Sequence, residues 1–464
     1  MLHEPGSFRD PHSRVFHGDG GILRGLSPEG LADWEALAGT KLFSSFVERG
    51  RLIETERADE GGPSAGLDED WAAVLRHETV PFVSYPYEWP FGMLKDAALL
   101  QLELLRAALD EGLILKDSSP YNVQWRGSDP VFIDVGSFEK LRESEPWVGY
   151  RQFCMLFLYP LMLQAYKGVP FQPWLRGSID GISPRECRSV MSRLDLRRKG
   201  VFSHVFLHAR LDQPGKETSR DVKRELRAAG FNTELIKANV RRLEKIVSGL
   251  EWRPEGSAWS AYEATKTYSD TDTDRKEAFV RAAASERDWN LVWDLGCNVG
   301  RFARIAAPHA RNVVAVDGDH GVVELLYRSL KVEPAASILP LTLNLADPSP
   351  GLGWRGQERR PLEERGRPDL TLCLALLHHL VLSANIPIRD VIGWFADLGT
   401  HLVIEFPTKE DPMVKRLLAR KREGLHSDYE TDVFERWLSE AFTVERRETL
   451  PSGTRHLYFA RPPH

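Results

Sequence analysis

The fold is decided by the stretch VWDLGCNVGRF, residues 292–302, in which an apolar run ends on Asp294 and a glycine-containing loop follows. The apolar run predicts a buried strand, and the residues from Arg301 onward predict a helix. Gly296 and Gly300 allow the backbone to turn sharply and to lie close to a ligand. The stretch therefore predicts a strand–loop–helix unit with a ligand site on its loop, and an ordinary strand–helix turn is the alternative.

Strand and helix patterns alternate from this stretch to the end of the chain. The apolar strand candidates are LVWDLG, NVVAVDG, ILPLTLNLA, DLTLCLALL, HLVIEF, FTVERRETL and RHLYFAR. Helical patterns lie between them at residues 301–310, 321–331, 388–398, 413–421 and 432–441. Short apolar strands separated by helices favour a parallel sheet with helices on both faces, and the short last gap predicts an antiparallel hairpin. We therefore expect an α/β, doubly wound, seven-stranded domain at residues 251–464.

The acid at the end of the first strand indicates which ligand the loop prefers. In a doubly wound sheet, ligands bind at the carboxyl ends of the strands, where the strand order reverses. Asp294 stands where a dinucleotide-binding loop has its first glycine, and its carboxylate repels a pyrophosphate but suits an ammonium group. Asp317 ends the second strand, where an acid accepts hydrogen bonds from ribose hydroxyls. S-adenosylmethionine combines a ribose with a cationic amino-acid group.

Three motifs in order give residues 261–461 a family resemblance. DLGCNVGRF, VVAVDGD and DLTLCLALLHHL resemble the first, second and fourth strand motifs of class I S-adenosylmethionine-dependent methyltransferases. The resemblance implies a Rossmann-like sheet and a set of cofactor-binding residues: Asp294, Gly296, Asn298, Gly300, Asp317, Asn344 and Asp347. Two alternatives stay open, namely that Asp317 caps a helix and that Asn344 and Asp347 form a simple turn into Pro348.

The end of the fourth strand is expected to face the methyl group in this family. His378 and His379 lie there, and a histidine titrates near neutral pH, which suits a general base. Glu405, in the fifth strand, is a second candidate that is aimed at the same cleft. The alternatives are that the histidine pair only packs the strand–helix corner and that Glu405 forms a salt bridge or a cap.

Two further segments of this half are candidates for ligand contact. Residues 260–283 precede the first strand, and by analogy with related folds they are expected to cover the cofactor, with Tyr268 and Lys276 as candidate contacts. The arginine-rich residues 351–369 are expected either to grip an anionic acceptor, such as a phosphorylated or sulfated glycan or a nucleic acid, or to form a solvated surface.

The N-terminal half carries a second ordered set of polar residues. Asp117 is followed by Asn122, and Asp134 ends an apolar run before Val135 and Gly136. This order resembles protein kinases and small-molecule phosphotransferases, which implies that the first Asp accepts a proton and the other two residues hold magnesium with ATP. Leu115 and Lys116 replace the usual His-Arg before Asp117, and no glycine-rich loop with a following lysine strand is evident.

We therefore expect residues 1–250 to form an α+β, mostly helical, kinase-like domain that is degenerate, with a helical linker at its end. One alternative is that the spacing of Asp117, Asn122 and Asp134 arises by chance in a helical domain. The other is active phosphotransfer, which would make the protein a bifunctional kinase-methyltransferase.

Composition sets the remaining expectations. The 464 residues carry a net charge of -6, which gives no global reason to expect nucleic-acid binding. The four cysteines form no CxxC pair and indicate free thiols in a reducing compartment. The N-terminus lacks a signal-peptide pattern, and the apolar residues 153–166 are too short for a membrane span, so they predict a buried helix in a cytoplasmic protein.

The two halves together predict an enzyme whose C-terminal domain binds S-adenosylmethionine and whose N-terminal domain chooses the acceptor. The combination resembles bacterial methyltransferases of the nodulation-protein type, which implies a small-molecule, saccharide or lipid-linked saccharide acceptor. A non-catalytic nucleotide-binding scaffold is the alternative outside enzymes. No metal site is predicted in the C-terminal half.

Overall fold

A computed structural model of the chain describes residues 2–18, 21–58, 71–142, 145–212, 233–254, 270–335, 337–422 and 424–463. The chain divides into two compact units. The first comprises Met1–Trp125, Asp129–Arg253 and Leu352–Arg359. The second comprises Arg126–Ser128, Pro254–Gly351 and Arg360–His464, so each unit contains a short piece from the other half of the sequence.

The first unit contains a five-stranded antiparallel sheet with the order β1-β2-β3-β5-β4. Its strands are β1 (Leu2–His3), β2 (Ser13–Gly18), β3 (Gly21–Leu26), β4 (Thr55–Arg57) and β5 (Ala73–His77). Two small two-stranded sheets follow, built from β6 (Leu113–Leu115), β7 (Val123–Arg126), β8 (Asp129–Phe132) and β9 (Phe138–Lys140).

Helices make up most of the remaining first unit. They are Pro28–Ala38, Lys41–Glu48, Phe91–Asp110, Tyr150–Phe153, Tyr159–Lys167, Gln172–Gly177, Pro184–Val190, Leu207–Leu211 and Thr233–Ser248, with π-helical turns at Cys154–Leu158 and Val201–Phe206. The long helix Phe91–Asp110 is central, because it buries twelve of its residues. The predicted buried helix at residues 153–166 is confirmed, since Phe153 through Leu163 are buried. Among the described helices, none is both long and apolar enough to span a bilayer.

The second unit is a seven-stranded sheet with the order β12-β11-β10-β13-β14-β16-β15. Its strands are β10 (Trp289–Leu295), β11 (Ala310–Asp317), β12 (Ile338–Thr342), β13 (Leu370–Cys373), β14 (His401–Pro407), β15 (Thr443–Thr449) and β16 (Arg455–Arg461). The first five are parallel and the last two are antiparallel, as the sequence predicts. The strand order reverses between β10 and β13, so their carboxyl ends form the switch point at which such sheets bind ligands.

Local sequence explains these elements. The central strands are apolar on both faces because helices cover both sides of a parallel sheet. Pro340 is tolerated in β12 because this strand lies at the edge of the sheet. The covering helices are Asp270–Ala284, Arg301–Ala306, His320–Val332, Ile388–Leu398, Pro412–Leu418 and Thr431–Ala441. Asp319 caps the third of these by accepting the backbone N–H of Gly321 at 2.7 Å.

The loop after β10 depends on glycine. Gly300 has φ 80°, and a Cβ added there would lie 2.5 Å from Cδ1 of Leu326. We expect Gly300→Ala to lower the free energy of unfolding by about 2–4 kcal/mol, because left-handed strain and overlap with the core add together. Urea unfolding of the full-length chain measures this change.

Gly393 provides the matched control because it lies in the helix Ile388–Leu398 with no atom within 4 Å of an added Cβ. Gly393→Ala is expected to stabilise the protein by about 0.5–1 kcal/mol, since alanine loses less backbone entropy in a helix. Equal effects of the two substitutions would contradict the assigned loop geometry.

Candidate active site

The glycine loop lies at the switch point of the second unit. Gly296 has φ 77° and Asn298 has φ 51°, so with Gly300 three residues of the loop adopt left-handed backbone conformations. The N–H groups of Gly296 and Cys297 donate to the carbonyl of Val316 at 2.8 and 2.9 Å, which ties the loop to the end of β11. An added Cβ at Gly296 would lie 3.4 Å from Cβ of Leu376, so the loop faces the segment that follows β13.

Asp294 provides the distinctive chemistry of the loop. Its side chain is 1% exposed, and its Oδ2 atom has no hydrogen-bond partner among the described residues. Burial raises the pKa of the Asp294 carboxyl to about 7, and the nearby Asp317 charge adds to the effect. A buried carboxylate oxygen without a partner is costly unless a ligand satisfies it. The Oδ1 atom of Asn298 is a second buried acceptor without a partner in this part of the structure.

Asp317 lies beside the loop at the end of β11. Its Oδ2 accepts the backbone N–H of Asn298 at 2.9 Å, and its Oδ1 accepts that of Asp319 at 2.9 Å. Burial raises the pKa of the Asp317 carboxyl. The helix cap is supplied by Asp319, so Asp317 is not the N-cap that the sequence offered as an alternative. Each of its oxygens retains a lone pair for a further donor.

Asn344 and Asp347 lie in the turn after β12. The side-chain oxygen of Asn344 accepts the N–H of Ala346 at 3.0 Å, and its carbonyl accepts the N–H of Asp347 at 3.0 Å. Both side chains are exposed. The turn follows the hydrogen bond from Leu343 N–H to the Asp317 carbonyl, so it lies beside the end of β11. Their role as adenine contacts stays a prediction, because the observed bonds also suit a simple turn.

The segment after β13 holds the histidine pair. Ala375 has φ 53°, so the chain leaves the strand at Cys373, earlier than the apolar pattern predicts. His378 is 2% exposed and its Nδ1 has no partner in the described region, whereas His379 is exposed. The two rings lie 4.2 Å apart between centroids. Burial lowers the pKa of both imidazoles, most strongly that of His378, so both are neutral at pH 7.

Glu405 lies in a buried chain of charges. Its Oε2 accepts from Nζ of Lys276 at 2.7 Å, and its Oε1 accepts from Nη1 of Arg455 at 3.0 Å. Arg455 Nε also donates to Oδ2 of Asp411 at 2.7 Å. These four side chains are at most 4% exposed, and we call them the buried charge chain. The Oε2 atom of Glu405 also accepts the N–H of Ala375 at 2.7 Å, which holds the turn after β13.

These contacts disfavour the predicted role of Glu405 as a proton acceptor. Burial alone would raise its pKa, but the charges of Lys276 and Arg455 outweigh burial and lower it to about 2. A carboxylate with such a low pKa is a weak base, and it has no exposed surface. The salt bridge that the sequence offered as the alternative is therefore present. Lys276, expected to contact the cofactor, is instead bound to Glu405, and Tyr268 lies outside the described residues.

Two of the five arginines in residues 351–369 are buried, whereas Arg355 and Arg367 are exposed. Leu352–Arg359 belongs to the first unit, where Arg359 is 6% exposed and donates to the Tyr121 hydroxyl at 3.3 Å. Glu358 pairs with Arg9 at 2.7 Å. Arg365 is also buried, at 9% exposure. Neither predicted role, an anion grip or a solvated face, describes these two buried arginines.

The first unit brings Asp117, Asn122 and Asp134 together. Asn122 Nδ2 donates to Asp117 Oδ2 at 3.1 Å and to Ser137 Oγ at 3.2 Å. The Ser137 hydroxyl donates in turn to Asp134 at 2.5 Å. Burial and the charge of Asp134 raise the pKa of Asp117, whose Oδ1 has no partner among the described residues. We call these four side chains, together with Arg24, the N-terminal polar cluster.

Arg24 and Ser137 are the members that the sequence analysis missed, and Arg24 is the charged one. Its Nη1 lies 2.7 Å from Asp134 Oδ1 although the residues are 110 apart in sequence. Burial opposes ionisation of Asp134, but the Arg24 charge outweighs it and lowers the carboxyl pKa. The Arg24 guanidinium thus lies where a magnesium ion would bind the Asp134 carboxylate. The residues present do not fit a magnesium–ATP site, and no group of three or more His, Cys, Asp or Glu side chains in the described ranges is arranged to hold a metal.

Structure comparison finds solved methyltransferases that are similar to part of this chain. One is N-methyltransferase NodS from Bradyrhizobium japonicum WM9 in complex with S-adenosyl-l-homocysteine, at 16% identity, covering 45% of this chain and 100% of that chain with a TM-score of 0.32. Another is magnesium protoporphyrin IX methyltransferase (ChlM) from Synechocystis PCC 6803, at 18% identity, covering 41% of this chain and 81% of that chain with a TM-score of 0.29.

Sequence comparison extends over nearly the whole chain. The nodulation protein NoeA of Rhizobium meliloti (strain 1021) is 33% identical over 457 residues, which cover 98% of this chain and 94% of that protein. No family model matches the chain. At this identity and coverage, the chain belongs to the family of nodulation protein NoeA.

The buried charge chain generates a pH-dependent prediction. Glu405→Gln is expected to destabilise the protein by about 3 kcal/mol at pH 7, because it leaves two buried cations without their anion. The pKa of Glu405 is lowered from 4.5 to about 2 by folding, so its contribution is complete above pH 4.5 and is lost as the pH falls through 2. Urea unfolding at a series of pH values measures the difference between wild type and variant.

Glu410→Gln is the control, since Glu410 pairs with Lys415 at 2.6 Å but is 74% exposed. This substitution is expected to change stability by less than about 0.5 kcal/mol at every pH. A Glu405→Gln effect that persists undiminished at pH 2 would contradict the ionised state of Glu405.

The N-terminal polar cluster generates a second prediction. Wild type is expected to show no change of unfolding temperature with Mn²⁺. Arg24→Met is expected to gain Mn²⁺-dependent stabilisation, because Asp134 then loses its internal cation. Arg14→Met is the control, since Arg14 binds backbone carbonyls of Asp10 and Ser13 instead. Strong Mn²⁺ stabilisation of wild type that Asp134→Asn abolishes would refute the assignment of Arg24.

Proposed function

We propose that the protein is an S-adenosylmethionine-dependent methyltransferase. The observation that carries the proposal is the buried Asp294 carboxylate, whose Oδ2 has no partner among the described residues at the switch point of the sheet. A carboxylate without a partner at this position fits the ammonium of an amino-acid-like ligand and excludes a pyrophosphate. When bound, the cofactor supplies an electrophilic methyl group on a sulfonium.

Different residues of the second unit would bind different parts of the cofactor. Asp294 would pair with the amino group, and the backbone of Gly296 and Gly300 would lie against the ligand without side-chain obstruction. Asp317 and Asn298 would accept and donate hydrogen bonds at the ribose. Asn344 and Asp347 would contact the adenine at the end of β12, where both side chains are exposed.

His379 is the stronger candidate for accepting a proton from the acceptor. It is exposed and neutral at pH 7, whereas His378 is buried and Glu405 is held by two cations. A neutral imidazole at the surface can take a proton from a hydroxyl or an ammonium group. We assign His378 to packing behind His379, and Glu405 to holding the turn through Ala375.

The first unit would recognise the acceptor. The ion pair between Arg24 and Asp134 disfavours phosphotransfer, so we prefer a retained kinase-like shape to a bifunctional kinase-methyltransferase. We keep as a proposal the saccharide or lipid-linked saccharide acceptor that the sequence resemblance implies. The four cysteines are free thiols, which supports the expected cytoplasmic location.

Isothermal titration with S-adenosylmethionine tests the cofactor site. Asp294→Asn is expected to weaken binding about 30-fold or more, corresponding to about 2 kcal/mol for the lost charge pair. Gly296→Arg is expected to abolish binding, because its side chain fills the loop. Between pH 5.5 and 7, wild-type affinity is expected to rise as Asp294 ionises, since its pKa is about 7, whereas Asp294→Asn is expected to lack this rise.

Asp397→Asn, an exposed acid of the same unit, is the control and is expected to bind like wild type. Equal affinity in wild type, Asp294→Asn and Gly296→Arg would refute the site. A second assay measures transfer of a labelled methyl group to components of a cell extract. Transfer by wild type that is lost in Asp294→Asn indicates an enzyme, whereas no transfer indicates a non-catalytic scaffold.

A further inference from the structure

A second basic segment lies at the reaction end of the second unit. Residues 415–422, which we call the basic segment, hold five basic side chains and no acidic one: Lys415, Arg416, Arg420, Lys421 and Arg422. The segment comprises the end of the helix Pro412–Leu418 and the residues after it. This helix begins shortly after the carboxyl end of β14, on the edge of the sheet that carries the glycine loop.

Most of these cations have no acidic partner among the residues that the structure describes. Lys415 pairs with Glu410 at 2.6 Å. Lys421 donates to the side-chain oxygen of Asn385 at 2.9 Å, and Arg416 donates to the sulfur of Met413 at 2.9 Å. No carboxylate among the described residues lies within ion-pair distance of Arg416, Arg420 or Arg422, and all three are exposed. Like charges this close repel one another, so an anion bound between them stabilises the arrangement.

The basic segment adjoins the predicted methyl-transfer end. The helix Pro412–Leu418 contacts the π-helical turn His379–Ser383. The charge of Arg416 contributes, after burial and Arg455, to the lowered pKa of His379. Lys421 binds Asn385, six residues beyond His379 in the same connection. The unpaired cations and the exposed imidazole therefore belong to one local region.

We propose that the basic segment binds a tetrahedral oxyanion, a phosphate or sulfate group, of the methyl acceptor. The inference rests on the proposed methyltransferase function and adds the charge class of its substrate. Guanidinium groups bind such oxyanions through paired N–H donors, and three exposed arginines supply them. The sequence predicted that arginines in residues 351–369 would bind such an anion, but two of them, Arg359 and Arg365, are buried. A nucleic acid fits less well, because the chain as a whole carries a charge of -6.

The experiment titrates inorganic pyrophosphate, and separately inorganic sulfate, into full-length protein saturated with S-adenosyl-l-homocysteine. Wild type is expected to bind pyrophosphate, and the triple variant Arg416→Glu, Arg420→Glu, Arg422→Glu is expected to bind it at least tenfold more weakly. The relative affinity for pyrophosphate and sulfate distinguishes a phosphorylated from a sulfated acceptor.

The matched control carries three charge reversals on an exposed surface of the first unit, Arg193→Glu, Arg197→Glu and Lys199→Glu, and is expected to bind pyrophosphate like wild type. Titration with S-adenosylmethionine is expected to give the same affinity, within twofold, for wild type and both triple variants. If wild type does not bind S-adenosylmethionine at all, the proposed methyltransferase function itself is refuted.

Three results would overturn the inference while leaving the methyltransferase proposal intact. The first is cofactor binding by wild type without any binding of pyrophosphate or sulfate. The second is equal loss of pyrophosphate affinity in both triple variants. The third is affinity for single-stranded DNA that increases with oligonucleotide length and depends on the basic segment, which would indicate a nucleic-acid partner.

Discussion

The second unit depends on one buried carboxylate, that of Glu405, which binds two cations and a backbone N–H. Lys276 comes from the helix before the sheet, Arg455 from the start of β16, and Ala375 from the turn after β13. Four separate parts of the chain thus meet at one side chain with no exposure to solvent. A buried ion network is costly to desolvate, and its value here lies in fixing the turn that presents the histidine pair.

Asp294 represents the opposite electrostatic situation. It is 1% exposed and lies on β10, which is separated from β14 by β13. No cation neutralises it in the described structure, and burial raises its pKa to about 7. The two carboxylates therefore have different tasks, although both lie in the core of the same sheet. Glu405 is paired with cations of the protein and stabilises the fold. Asp294 has no such cation in the described structure and can pair with a positively charged group of a ligand. This contrast, which burial alone does not reveal, is the reason why we propose Asp294 rather than Glu405 as the ligand-binding carboxylate.

The sheet could be predicted because its signal is local. Each strand is a short apolar run, and Ile388–Leu398 begins and ends where the helical pattern does. The end of β13 was misjudged because the apolar pattern continues past Ala375, whose φ of 53° ends the strand. The partners of the acids could not be predicted, since Lys276 is 129 residues from Glu405 and Arg24 is 110 residues from Asp134. Such pairings depend on tertiary structure, and an arginine on an amphipathic strand carries no sign of its distant partner.

The short segment Leu352–Arg359 bears on how the polypeptide is made. It lies almost a hundred residues beyond Arg253, yet it belongs to the first unit, where Glu358 pairs with Arg9 and Arg359 lies against Tyr121. When a ribosome has synthesised the first 253 residues, this unit still lacks one of its pieces. The unit is completed only after β10, β11 and β12, the first three strands of the other sheet, have been translated. A gene cut between the two halves would therefore encode a first fragment that is permanently without its last segment.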